Sequence, residues 1–210
     1  MKALLCILIS YVIGTINPSY IIARFKGLDI RTVGSKNAGA SNALIVLGKL
    51  SGAVCMLFDI AKACFAIWLC QKLFSDFEYA LVLAGVFCLI GHVFPFYMKF
   101  KGGKGLACLG GLLIMMDWRL FFIMLAIEIV IALIVNYIFI VPITASVAMP
   151  VLYGLMTRNV WNAMIMLIAT AIIYYKHMEN FKRVKAGTEM KLSYLWNKDK
   201  ELERIQNNNK

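Results

Sequence analysis

Residues 97–111 read YMKFKGGKGLACLGG. Lys99, Lys101 and Lys104 alternate with Gly102, Gly103 and Gly105 within seven residues, and strongly apolar chain flanks them on both sides. A flexible cationic hinge between two apolar runs reads as a loop where a chain leaves a bilayer and re-enters it. Of the 210 residues, 61% are hydrophobic, where a soluble domain is about half apolar. Runs long enough to cross a bilayer recur throughout. The expectation is an all-α, polytopic membrane helix bundle with about seven transmembrane segments. They lie at 4–23, 53–73, 79–97, 106–116, 120–137, 142–156 and 160–175. The fourth is short against the ~20 residues of a full span, so a five-span arrangement in which it dips in and returns stands beside the seven-span one. The polar stretch 176–210 is too short for a core of its own. The chain therefore reads as one domain, 1–210, ending in a tail. The first segment has no small-residue cleavage site and reads as a retained span.

Charge placement orients the bundle. The net charge is +11, from 22 Lys and Arg against 11 Asp and Glu. With the N-terminus outside and the C-terminus cytoplasmic, 17 of the 22 basic residues fall in the loop 24–49, the loop 99–104 and the tail, as the positive-inside rule requires. A basic balance also suits nucleic acid, but no basic groove interleaved with aromatics is present, so that partner is excluded. The six cysteines (Cys6, Cys55, Cys64, Cys70, Cys88, Cys108) show no CxxC spacing and read as small buried hydrophobes. No metal site or cofactor is expected. Protein partners are not legible.

Three cytoplasmic blocks and a few intramembrane charges need a reason. Asp59 and Lys62, three apart in the second segment, share a helix face and can pair. Ionisable groups there are costly and face a partner or a cavity, so the pair is either self-neutralising or the wall of a site. Glu128 has no evident partner in sequence. In GSKNAGASN, residues 34–42, the donors Ser35, Asn37, Ser41 and Asn42 crowd around Gly34 and Gly39. Successive N–H groups in such a turn can form an anion nest, though an ordinary polar loop has the same look. Lys101, Gly102, Gly103, Lys104 and Gly105 open a helical apolar run. Free N–H groups at a helix start together with lysines suit phosphate, although the GxxxxGK[ST] loop is absent. His92 precedes this block in GHVFPF and reads as a hydrogen-bonded structural residue. In the tail, His177, Asn180 and Arg183 recur every three residues and line one stripe of a helix that stops near Gly187. This is a solvated face or the third wall of a site. No nucleophilic triad, HxxxxD or HExxH pattern is present.

Together the blocks GTINPSYIIARFKGLDIRTVGSKNAGASN, GHVFPFYMKFKGGKG and KHMENFKRVKAGTEMK resemble, in order and spacing, those of the bacterial acyl-phosphate:glycerol-3-phosphate acyltransferases, the PlsY family. The resemblance implies a compact bundle, multi-pass in a bacterial cell membrane. It implies transfer of a fatty acyl group from acyl phosphate to glycerol 3-phosphate, giving lysophosphatidate and phosphate in phospholipid synthesis. The partners it implies are those two substrates and membrane lipids. Ser35, His177 and Asn180 would be the catalytic residues. Asn37 and Asn42 would bind around the acyl phosphate. Lys101, Gly102, Gly103, Lys104 and Gly105 would bind glycerol 3-phosphate, with Arg183 as a further substrate contact. The chain departs from the family pattern at Ile45, where an arginine is usual, at Phe139 and Pro142 in place of serines, at Ala63 for glycine and at Cys108 for threonine. A guanidinium that would clamp phosphate is therefore missing from one position. Two other readings stay open: a non-catalytic relative that binds a phosphorylated lipid or metabolite, and a small phosphometabolite transporter.

Overall fold

The structure is a computed structural model and describes residues 1–208. Among them there are ten α-helices and no strand: α1 (Lys2–Thr15), α2 (Pro18–Phe25), α3 (Ala40–Leu47), α4 (Lys49–Leu73), α5 (Ala80–Val93), α6 (Leu106–Met116), α7 (Trp118–Val135), α8 (Ile140–Thr157), α9 (Val160–Lys185) and α10 (Lys198–Asn208). Short 3₁₀ turns sit at Phe96–Met98 and Leu192–Leu195. Five stretches are long and apolar enough to cross a bilayer: Lys2–Phe25, Lys49–Leu73, Ala80–Met98, Trp118–Val135 and Ile140–Thr157. The 26-residue α9 is longer still, but its last turns are charged. The 11 residues of α6 rise only ~16 Å, about half of a ~30 Å hydrocarbon core.

The loop 24–49 contains a helix of its own, α3. The tail stripe lies on a helix that stops at Gly187, as the sequence predicts: α9 carries it on from the last apolar segment without a break, and Gly187, with φ of +70°, turns the chain left-handed. The residues after that stop fold back as a 3₁₀ turn and α10.

Both ends of the bundle are tied. At one end Lys2 pairs with Asp76, and Asn159 donates to Glu78 at 2.6 Å. At the other end the tail meets the close of α7, where the Leu192 N–H donates to the Asn136 carbonyl at 2.9 Å. The polar blocks gather at this second end.

Between the ends, small residues let helices approach. A methyl on Gly14 of α1 would overlap the Cys88 backbone of α5, and one on Gly91 of α5 would overlap the Tyr11 carbonyl of α1. This is small-residue packing of the membrane type, where backbone proximity replaces a hydrophobic drive. Large apolar side chains such as Phe122, Ile123, Val130 and Ile134 of α7 point outward and stay exposed.

Irregular backbone is re-satisfied from neighbouring helices, as an apolar medium demands. Between α1 and α2 the chain breaks at Ile16, Asn17 caps α2 by accepting the Tyr20 N–H at 2.8 Å, and Pro18 takes the first helical position, where its missing N–H costs nothing. The carbonyls freed by the break accept from Tyr97 Oη (to Thr15, 2.7 Å) and Lys62 Nζ (to Ile16, 2.6 Å). Within α8, Pro150 cannot donate to the Ser146 carbonyl four residues back, and Thr170 of α9 supplies that bond at 2.5 Å. Glu128 finds its partner here too, accepting from Thr144 of α8 at 2.6 Å.

Adding one methyl tests the crossing of α1 and α5. Gly91→Ala should destabilise the bundle by roughly 1–3 kcal/mol, the cost of overpacking a close contact, seen as a lower midpoint in thermal unfolding in detergent. Gly110→Ala in α6, where the methyl meets only Phe121 at 3.6 Å, should leave the midpoint unchanged or raise it.

Candidate active site

The site is built on a buried charge cluster. Lys62 and Asp59, one turn apart on α4, pair at 2.6 Å with both side chains almost fully buried. His92 of α5 places Nδ1 3.3 Å from Asp59 Oδ1 and 3.0 Å from Lys62 Nζ. Lys62 also holds the broken end of α1. One ammonium therefore joins α1, α4 and α5, and the pair is a structural anchor. Asp59, His92 and Cys108 offer ligand atoms within 4.8 Å of one another, but the Lys62 ammonium already fills the cationic place beside Asp59.

The glycine-lysine block is laid on this anchor. Gly103 and Gly102 donate their N–H groups to the carbonyls of His92 (3.1 Å) and Val93 (3.0 Å). The His92 ring lies against Gly103 so closely that a methyl there would overlap the imidazole. Only glycine lets the chain sink this far. Gly105, with φ of +89°, then turns the chain into α6. The Lys101 side chain is left exposed, while Lys104 points inward.

The first block closes over this turn. A methyl on Gly39 would lie 3.9 Å from Gly103 Cα. Asn17 ties the block to the α1–α2 break by donating to the Ala38 carbonyl at 2.8 Å. Asn42 is fully buried. It accepts the Ser35 N–H at 2.8 Å and donates to the Ile30 and Val33 carbonyls at 2.9 and 3.0 Å. Its amide thus shapes the loop from inside and presents nothing outward. Ser35 itself is exposed at the rim, with Asn37 half-buried beside Gly39. Arg31 braces the loop against the second block, pairing with Asp29 at 2.7 Å and donating to the Met98 carbonyl at 2.7 Å. That guanidinium holds the Asp29 carboxyl at about 2.

The third block arrives on α9. Lys104 Nζ donates to Asn180 Oδ1. Asn180 Nδ2 donates to Glu189 Oε1 at 2.6 Å, and Arg183 Nε donates to Glu189 Oε2 at 2.6 Å. A carboxylate only accepts, so Glu189 turns the Asn180 amide with its oxygen toward Lys104. Glu189 was not singled out from the sequence. The signal for it is an acid two residues past the helix stop, six residues after Arg183. His177 lies one turn before Asn180, beyond the apolar part of α9, and is 3% exposed. Its Nδ1 donates to the Ile173 carbonyl at 2.7 Å, because a carbonyl only accepts. Nε2 is therefore left with a lone pair.

Burial and charge set the protonation of this pocket. Burial, followed by the Arg183 charge, brings Lys104 down to about 8. Burial, then the charges of Lys104, Lys176 and Arg183, bring His177 down to about 4, so it is neutral at physiological pH. What results is a cationic cradle beside a neutral hydrogen-bond acceptor, at one end of a membrane bundle.

Comparison with known proteins agrees with this arrangement. Residues 4–187 match the family described as glycerol-3-phosphate acyltransferase. The glycerol-3-phosphate acyltransferase of Thermoanaerobacter sp. (strain X514) is 34% identical over 193 residues, 91% of this chain and 96% of that protein. That of Bacillus subtilis (strain 168) is 34% identical over 196 residues, 93% of this chain and 100% of its own. The chain belongs to the glycerol-3-phosphate acyltransferase family. The crystal structure of PlsY, an integral membrane glycerol 3-phosphate acyltransferase, in its glycerol 3-phosphate form superposes with a TM-score of 0.82 at 29% identity, covering 93% of this chain and 98% of that one. Its lysophosphatidic acid form gives 0.78 at 28%.

The positions at which this acyltransferase-family chain departs from the usual pattern have distinct surroundings. Ile45 is 42% exposed on α3. Phe139 is buried, stacks on His177 at 6.5 Å between ring centroids and meets Phe181 edge to face at 5.2 Å, giving the imidazole an apolar wall. Cys108 donates to the Asp59 carbonyl at 3.6 Å.

The anchor can be broken from one side. Asp59→Ala leaves a buried ammonium without its carboxylate and should cost about 3–5 kcal/mol. The double substitution Asp59→Ala with Lys62→Met removes the orphaned charge and should recover part of that loss, the Ile16 carbonyl being left without its donor. Thermal unfolding of the detergent-solubilised variants measures both.

Proposed function

We propose that this chain transfers a fatty acyl group from acyl phosphate to the first hydroxyl of glycerol 3-phosphate, releasing phosphate and forming lysophosphatidate. The observation that carries the reading is the bond from Lys104 to Asn180, which joins the glycine-lysine turn to the stripe of His177, Asn180 and Arg183. One cradle thereby combines a tight glycine turn, a lysine and a hydrogen-bond acceptor. We place it at the cytoplasmic end of a seven-segment bundle, because 17 of the 22 basic residues lie in the pieces that gather there.

The donor is already an activated mixed anhydride, so the protein's work is to bring the reactants together and to match their charge. Lys104 and the turn Lys101, Gly102, Gly103, Lys104 and Gly105 hold the acceptor's phosphate. Ser35 and Asn37 at the rim of the first block face the donor phosphate, over a loop that Asn42 keeps in shape. Nε2 of His177 and the Asn180 amide orient the acceptor hydroxyl. A histidine at about 4 is a weak base, which suits it to orienting the hydroxyl rather than keeping its proton. As the hydroxyl oxygen bonds to the acyl carbon, the bond from that carbon to phosphate breaks, and the proton passes to the departing phosphate. The acyl chain lies along apolar helices and enters from lipid.

Purified protein given acyl phosphate and labelled glycerol 3-phosphate should form lysophosphatidate with matching phosphate release. Folded protein giving no product above background would overturn the reading. Lys104→Ala should weaken acceptor use by roughly 1–3 kcal/mol, the scale of a lost charge-assisted bond.

The pH dependence has a definite sign. Lys104 is charged below about 8 and loses its proton as pH rises through that value, so its attraction for phosphate is present below and fades above. The profile of kcat/KM for glycerol 3-phosphate, which reports the free enzyme, should therefore fall above about pH 8. Lys104→Arg, which keeps its charge, should move that fall to higher pH. An alkaline limb identical in both proteins would remove Lys104 from the acceptor site.

A further inference from the structure

The residues matched to the family end at 187, yet the chain continues into a folded strap. It begins by docking on the end of α7, where Leu192 and Ser193 donate their N–H groups to the Asn136 carbonyl and to Asn136 Oδ1, both at 2.9 Å. It then returns as α10 to the turn that ends α9. There Arg204 is the hub. Nη1 donates to the Gly187 carbonyl, and Nη2 donates to the Glu189 carbonyl at 2.6 Å. Nε donates to Glu201 Oε2 at 3.0 Å. Glu201, 5% exposed, also accepts the Lys191 N–H at 2.9 Å. Asn208 adds a second donor to the Gly187 carbonyl at 2.9 Å.

These bonds bear on the site because of what Glu189 does. One guanidinium grips the carbonyls on either side of Thr188 and so fixes the backbone from which the Glu189 side chain projects. That carboxylate holds both Asn180 and Arg183, and Asn180 in turn receives Lys104. A path runs from Arg204 to the lysine of the cradle: a hydrogen bond to the Glu189 carbonyl, the covalent frame of Glu189, then hydrogen bonds through Asn180 to Lys104. A planar fork suits this task, since it meets two carbonyls and a carboxylate at once and a lysine does not.

We propose that Arg204, at the centre of the C-terminal strap, is a positioning residue for the acceptor half of the site: by locking Glu189 it sets the Asn180 amide and, through it, Lys104. This rests on the transfer reading above and adds to it a part of the chain beyond the family match. The first block, over which the acyl phosphate lies, is outside this series of bonds, so loss of Arg204 acts on one substrate and spares the other.

The test uses the full chain in detergent, with Arg204→Ala, Arg204→Lys and, on the exposed side of α10, Lys200→Ala. Arg204→Ala should raise the KM for glycerol 3-phosphate roughly three- to tenfold, the range in which remote substitutions modulate a site. It should leave kcat within about twofold and the KM for acyl phosphate unchanged. Arg204→Lys should fall between it and the unaltered protein, and Lys200→Ala should match the unaltered protein. An unchanged acceptor KM in Arg204→Ala overturns the proposal. So does an equal loss in both KM values and in kcat together with a lowered unfolding midpoint, since that is the behaviour of a purely structural brace. Should Arg204→Ala not fold, Arg204→Lys and Asn208→Ala carry the same comparison, and an unchanged acceptor KM in both overturns it. Calorimetric affinity for glycerol 3-phosphate needs no turnover. If the unaltered chain binds it but makes no product, the transfer reading fails alone, and the strap is still judged by whether Arg204→Ala weakens that binding.

Discussion

The Lys62 ammonium is the point on which the rest of this bundle depends. A charge in apolar surroundings persists only with partners, and here its partners sit on three helices: the Ile16 carbonyl at the break after α1, Asp59 on α4 and His92 on α5. The break frees a carbonyl that needs a donor. The donor needs a counter-charge. The counter-charge fixes an imidazole, and the imidazole is the floor under Gly103. Each demand is met by creating the next, and the last of them shapes the glycine-lysine turn.

Above that floor the site separates two kinds of work. Lys104 and Arg183 supply positive charge, while His177 is kept neutral by burial and by the same cations. A charged imidazole would add attraction but lose the lone pair on Nε2. Within one pocket, the cations that give it its charge also keep the histidine neutral, with Nε2 free to accept a hydrogen bond. Phe139, stacked on the ring, works in the same direction by excluding water from one face.

Much of this was legible in the chain. The apolar segments lie close to the helices, the fourth with the same bounds as α6, because hydropathy is a local property. The three polar blocks stood out because polar residues and glycines are costly in an apolar protein and persist where something requires them. Other features were hidden for physical reasons. Asn42 reads as an outward donor but is turned inward, since the loop's own carbonyls and N–H group were nearer. Glu128 has no partner in sequence and finds one sixteen residues on, in the next helix. Glu189 reads as one acid in a solvated tail and instead orders the pocket's amide.

The sequence by itself determined that this is a membrane helix bundle, which pieces share a side, and which three blocks carry polar chemistry. These follow from composition and charge, which act residue by residue along the chain. Only the tertiary structure decided which polar atoms meet: Lys62 with Ile16, Gly103 with His92, Lys104 with Asn180, and Arg204 with Glu189. A hydrogen bond is satisfied by whichever partner packing brings within about 3 Å, and that choice is made by the crossing of helices distant in the chain.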